Sequence, residues 1–199
     1  MKRALLVVAV LGGCKKHEAV PVQVAAPAPT QAEDVHFRPK HTLTSTAKGS
    51  AFELADGTGE FHLTLPNQPT LSADMMEQGG VQVWNAQAVM PGGDVDVQFG
   101  AMAVPDGDLP ADLSNLAGIP QQLATMTNGN LVKNDSGTLS GAQAQIFELT
   151  TGDKRRLFGW YVFDREHARV YQINCVGEDT DKTRTACGAV ASSFALTKG

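Results

Sequence analysis

Three cysteines, five histidines, several aspartates and the run Lys154-Arg155-Arg156 are the residues of this chain best able to do chemistry. Their spacing decides how much each can do. A thiol acts as nucleophile or metal ligand only as the thiolate, with a base or further ligands close by. No histidine neighbours Cys175 or Cys187, and two thiols cannot close a zinc site. His17, His36 and His41 cluster near the start of the chain at a spacing that matches no ligand pattern, which leaves them as solvated side chains. Asp94, Asp96, Asp106 and Asp108 lack the spacing of a calcium loop and its closing glutamate, so capping and strand-edge solvation account for them. Serine, histidine and aspartate are all present, but no Gly-x-Ser-x-Gly elbow or paired acid motif brings them together. The expectation is therefore no catalytic residue, no metal and no cofactor. A charge run is ordinarily a solvated loop tip. Lys154, Arg155 and Arg156 are nonetheless the candidate partner-binding residues, because three cations on an acidic domain can meet an acidic or phosphate-bearing surface by charge complementarity.

Cys14 stands apart. Lys2 and Arg3 precede an apolar run, Ala4 to Leu11, that is too short to span a bilayer, which takes roughly 20 residues, but suits a signal-peptide core. The run ends in Leu11-Gly12-Gly13-Cys14, followed by Lys15 and Lys16. This resembles the lipobox of bacterial lipoproteins, whose cysteine is lipidated before cleavage in front of it. The resemblance implies a signal peptide over 1–13, lipidation at Cys14, and a membrane partner reached through the acyl chains, two or more of which suffice for stable anchoring. Lys15 in place of aspartate after the cysteine implies the outer membrane rather than the inner one. Residues 14–34 are rich in Ala, Pro, Val and Gln, including Pro21, Pro27 and Pro29. Such a segment buries too little surface to offset its ordering entropy, and reads as an extended tether to a globular domain over 35–199.

Cleavage would remove Lys2 and Arg3 from the 16 lysines and arginines and none of the 21 acids, leaving 14 against 21 and a net charge of −7. That argues against nucleic acid, which wants a basic face. With Cys14 assigned to lipid, Cys175 and Cys187 remain as an even pair in an oxidising compartment, which favours a disulfide over a catalytic thiol or a metal pair. Cys175 closes a predicted strand, and Cys187 lies on the apolar face of a helix predicted over Asp181 to Phe194.

The domain is organised around Leu157–Phe163 and Ala168–Val176, two runs rich in aromatic and β-branched residues that read as a hairpin. The first is apolar at every position but Gly159, so it is expected to be central with both faces covered. The second alternates Tyr171, Ile173 and Cys175 with Gln172 and Asn174, predicting one buried face and one wetter face. Upstream, Ser50–Ala55 and Glu60–Leu65 form a hairpin about Asp56-Gly-Thr-Gly59, with His62 pointing outward. A polar loop with Met75 and Met76 leads to antiparallel strands over 80–90 and 94–104, joined at Pro91-Gly92-Gly93. A helix is predicted from Asp108 through Leu109, Leu113 and Leu116, broken or kinked at Gly118 and Pro120 before Leu123 and Met126. Asn134–Gly137 reads as a turn, and Ala142–Leu149 as a strand. The fold class is α+β, a mostly antiparallel sheet of about six strands flanked by helices.

Phe61-His-Leu-Thr-Leu65-Pro66-Asn-Gln-Pro69 resembles the opening of PsbP-like domains. Their closing pattern is matched by Arg169-Val-Tyr171-Gln-Ile173, a turn at Gly177, and a helix ending Ala191-Ser-Ser-Phe194-Ala-Leu196. The resemblance covers roughly residues 50 to 196. It implies a Mog1/PsbP-like α/β/α sandwich and no general catalytic site, since members are mostly accessory or binding proteins and several are lipoproteins. Cys175 and Cys187 are no part of the general pattern. The reading is therefore a non-catalytic envelope lipoprotein that binds or scaffolds, with another envelope protein as its partner. The alternative is a periplasmic carrier of a small apolar ligand, for which Met75, Met76, Met90, Met102 and Met126 could line a pocket. An enzyme ranks last.

Overall fold

The computed structural model of the chain describes residues 33–38, 41–78, 81–91, 93–103 and 117–197. The expected signal peptide, Cys14, His17, nearly all of the expected tether and the helix expected at Asp108–Leu116 lie outside the described residues. In chain order the described elements are β1 (Glu33–Arg38), β2 (His41–Lys48), β3 (Ala51–Asp56), β4 (Phe61–Leu65), β5 (Thr70–Gln78), β6 (Val81–Met90), β7 (Val95–Ala103), α1 (Ile119–Met126), β8 (Asn130–Leu139), β9 (Ala142–Thr150), β10 (Arg156–Asp164), β11 (Arg169–Gly177), α2 (Asp181–Ser192) and β12 (Ala195–Leu196). They build a seven-stranded sheet in the order β5-β6-β7-β11-β10-β9-β8 and a five-stranded sheet in the order β1-β2-β3-β4-β12. The pairings are antiparallel throughout.

The expected central hairpin is β10–β11, in register from Arg156↔Gly177 to Asp164↔Arg169. Because side chains alternate across a strand, the apolar run of β10 feeds two cores at once. Leu157, Tyr161 and Phe163 join Ile119, Leu123 and Ala124 of α1 on one face, with Phe147 and Leu149 of β9. Phe158, Trp160 and Val162 face the larger core on the other side. There the five-stranded sheet contributes Leu43, Leu54, Phe61, Leu63 and Leu65, α2 contributes Cys187 and Val190, and Phe194 follows just after the helix. Phe61, Phe99, Tyr171 and Phe194 meet there with ring centroids 4.9 to 6.5 Å apart. Each buried ring or aliphatic side chain contributes roughly 1.5–3 kcal/mol by leaving water, which is why this hairpin anchors the domain.

Several expectations are corrected. The main sheet has seven strands rather than about six, and a second sheet, including the unanticipated β1 and β2, packs on it. One described helix lies on each face, but most of the cover over the larger core is sheet, so a helix-flanked sandwich gives way to a sheet-dominated one. The Met75–Met76 segment is not a loop: it belongs to β5, where Leu71 and Ala73 turn inward and Ser72 and Asp74 outward. Asn134–Gly137 is not a turn but the middle of β8. Its polar groups are satisfied by neighbours rather than by local turns: Asn134 Nδ2 donates to Ala117 O (3.0 Å), and Asn134 Oδ1 accepts from Gln145 Nε2 (2.5 Å). A Cβ on Gly137 would come within 3.0 Å of Ile146 Cδ1, so that glycine makes room across the ladder rather than a bend. The interruption expected at Gly118 and Pro120 falls where α1 begins: Ala117 and Gly118 form a turn, and Pro120 sits in the first turn of the helix, where its fixed φ is preorganised and its missing N–H costs nothing. The wetter face expected for β11 is also absent, since Gln172 and Asn174 are both buried.

A cleft at the foot of the main sheet

The disulfide forms between Cys175 of β11 and Cys187 of α2, with S–S 2.03 Å and Cα–Cα 5.6 Å. Both sulfurs are buried in the larger core, which suits a staple between helix and sheet rather than a reactive thiol. α2 begins at Thr180, whose hydroxyl accepts from Thr183 N at 3.2 Å as an N-cap.

The start of α2 lies next to the turn that carries the basic run. Residues 151–155 close on themselves through Thr151 N to Arg155 O and Lys154 N to Thr151 O, both 2.9 Å. Lys154 takes the left-handed conformation at φ +65°, which turns the chain back into β10. The three cations are then treated differently. Arg155 donates from Nη2 to Asp96 Oδ2 at 2.6 Å and to Val176 O at 3.2 Å. Arg156 makes a two-pronged contact to Asp179, Nε to Oδ1 at 3.0 Å and Nη2 to Oδ2 at 2.6 Å, and its side chain is only 14% exposed. That bond, with the charge of Arg156 behind it, holds the Asp179 carboxyl below its ordinary pKa. Lys154 is exposed and has no ion pair among the described residues. The expected trio is thus two structural arginines and one free lysine. Sequence reasoning missed this because Asp96 and Asp179 are distant in the chain and only the folded register brings them in.

Lys154 and Arg155 line a cleft of about 550 Å³ together with Asp94, Asp153, Glu178 and Lys182. Its walls are the β6–β7 turn at Gly93 and Asp94, the β9–β10 turn, and the link from β11 into α2. Lys182 Nζ donates to Asp94 Oδ1 at 2.7 Å. Asp153 accepts from the Thr151 hydroxyl, which holds its carboxyl below the usual range. Glu178, like Lys154, is exposed and has no side-chain partner among the described residues.

A second polar cluster, also unforeseen from sequence, braces the other end of the β10–β11 hairpin. Arg169, 3% exposed, donates from Nη2 to Glu60 Oε1 at 3.0 Å across to the second sheet, and from Nη1 to His167 O at 2.5 Å. Asp164 accepts the N–H groups of Glu166 and His167 at 3.2 and 3.3 Å, and its Oδ2 lies 2.6 Å from His167 Nδ1. Burial opposes protonation of His167, but the hydrogen bond and charge of Asp164, with Glu60 and Glu166 behind it, outweigh that and raise its pKa. His62 is exposed on β4, as expected. The described residues contain no group of three or more metal-ligating side chains.

No protein-family model matches the sequence, and no curated protein is similar to it. Among solved structures, the cyanobacterial PsbP (CyanoP) of Synechocystis sp. PCC 6803 is similar at 14% identity and a TM-score of 0.55, over 76% of this chain and 95% of that one. LpqN of Mycobacterium tuberculosis, described as involved in cell envelope biogenesis, matches at 15% identity over 67% and 86%, with a TM-score of 0.42. The immunity protein TplEi of Pseudomonas aeruginosa matches at 9% identity over 82% and 77%, with a TM-score of 0.40. The first establishes, at the level of backbone fold, that this domain is PsbP-like.

Proposed function

We propose that this protein is a non-catalytic lipoprotein, anchored through Cys14 in the bacterial outer membrane, whose PsbP-like domain serves as a binding or accessory module for another envelope component. One observation carries the reading. At the foot of the main sheet a cleft keeps Lys154 and Glu178 free while Arg155, Arg156 and Lys182 pair with Asp96, Asp179 and Asp94. Exposed charges that stabilise nothing in the fold are the ones available to a partner. The acidic balance of the chain supports a protein or small-molecule partner over nucleic acid. The polar lining of the cleft makes it a poor seat for an apolar ligand. The test is affinity capture from solubilised envelope with the wild-type chain and with Lys154→Glu. The reading expects a partner that the variant loses while its urea midpoint is unchanged; identical capture by both would remove the cleft from the account.

A further inference from the structure

We infer that the cleft recognises a zwitterion, a ligand that presents an ammonium and a carboxylate together, such as a free amino acid or the termini of a short peptide. The inference rests on the binding-module reading above and names the ligand chemistry of the same site. Three cations, Lys154, Arg155 and Lys182, face four acids in the lining, Asp94, Asp153, Glu178 and Asp179. A wall so balanced does not select phosphate or any other simple anion, which wants an excess of cations. Most of these charges are already matched: Lys182 by Asp94, Arg155 by Asp96 outside the cleft, and Asp179 by Arg156. Asp153 is engaged by Thr151 and by Arg155 N. What remains is one cation, Lys154, and one anion, Glu178, on two different walls.

Both are held by their backbones rather than by side-chain pairing. The closed turn at Thr151–Arg155 fixes Lys154, and Thr180 N donating to Glu178 O at 2.8 Å fixes the other. No ion pair joins them among the described residues. The cleft they both line, about 550 Å³, is of the size of a small-ligand site. A ligand carboxylate would meet Lys154 Nζ, and a ligand ammonium would meet the Glu178 carboxylate.

The experiment is a titration of the isotopically labelled full chain, followed by amide NMR shifts, with four probes: alanyl-alanine, its N-acetyl form, its C-terminal amide, and inorganic phosphate. The inference expects alanyl-alanine to shift Lys154, Glu178 and the start of α2, with half-saturation at millimolar concentration. Removing either ligand charge, or introducing Lys154→Gln or Glu178→Gln, should each weaken binding about three- to fivefold, as for one exposed charge pair. Phosphate binding tighter than the dipeptide, a gain of affinity in Glu178→Gln, or no shift at about 10 mM dipeptide would each overturn it. Envelope capture without dipeptide binding overturns this inference alone. Dipeptide binding without capture upholds it while the partner reading fails.

Discussion

A methyl group at position 159 would lie 2.0 Å from Phe147 Cζ. The one small residue in the most apolar strand is there to seat a ring that stacks on Tyr161 at 5.4 Å. Gly159→Ala is therefore expected to destabilise the domain by about 2–3 kcal/mol through overpacking, read as a lower urea midpoint at unchanged slope. Tyr161 itself is buried, and burial pushes its phenol pKa up. His167 gives a pH signature of known sign. Its folded pKa is raised, so its contribution is fully present below the unfolded value of about 6.5 and is lost as pH rises through the folded value. The groups that set this are Asp164, Glu60 and Glu166, with Arg169 beside them. Urea midpoints between pH 5 and 9 (roughly the span over which a histidine titrates) should fall above about pH 6.5 in the wild type. In His167→Gln that fall should be smaller.

The elements that matter most are β11 and α2, joined by the disulfide. The bridge closes a short loop, 12 residues apart in sequence, so replacing both cysteines by alanine should cost about 3 kcal/mol and lower Tm by about 10 °C without changing the fold. Free-thiol counting on unfolded, unreduced protein should find neither Cys175 nor Cys187. This pairing, like the β10–β11 hairpin and the strands at 81–90, 95–103 and 142–150, was legible in the sequence, because strong alternation and two cysteines leave few options. β5 and β8 were not. Their apolar content is low, and they are strands because β6 and β9 offer a ladder to complete, which no local pattern announces. The burial of Gln172 and Asn174 was hidden for the same reason: polarity predicts a wet face, and tertiary packing covered it. At the site, the basic run was visible as composition. Its division into two paired arginines and one free lysine depends on contacts 23 and 59 residues away in sequence. One consequence is that reversing all three cations is no neutral probe, since Arg156→Glu would set a half-buried carboxylate against Asp179. Lys154→Glu alone should leave stability within about 0.5 kcal/mol of wild type.

For the molecule as a whole, the proposed function needs both an anchor at Cys14 and a partner at the cleft. Cys14→Ala is expected to abolish fatty-acid incorporation and release the protein from the membrane fraction; label retained by that variant would remove the anchor. The free lysine of the cleft is where a partner is expected to touch. The most direct measurement places a photo-crosslinking amino acid at Lys154 and, as control, at Asp135 of β8, which is also exposed, and irradiates intact envelopes. The account predicts a discrete adduct from position 154 that is absent from position 135. Adducts from 135 and none from 154 would contradict it.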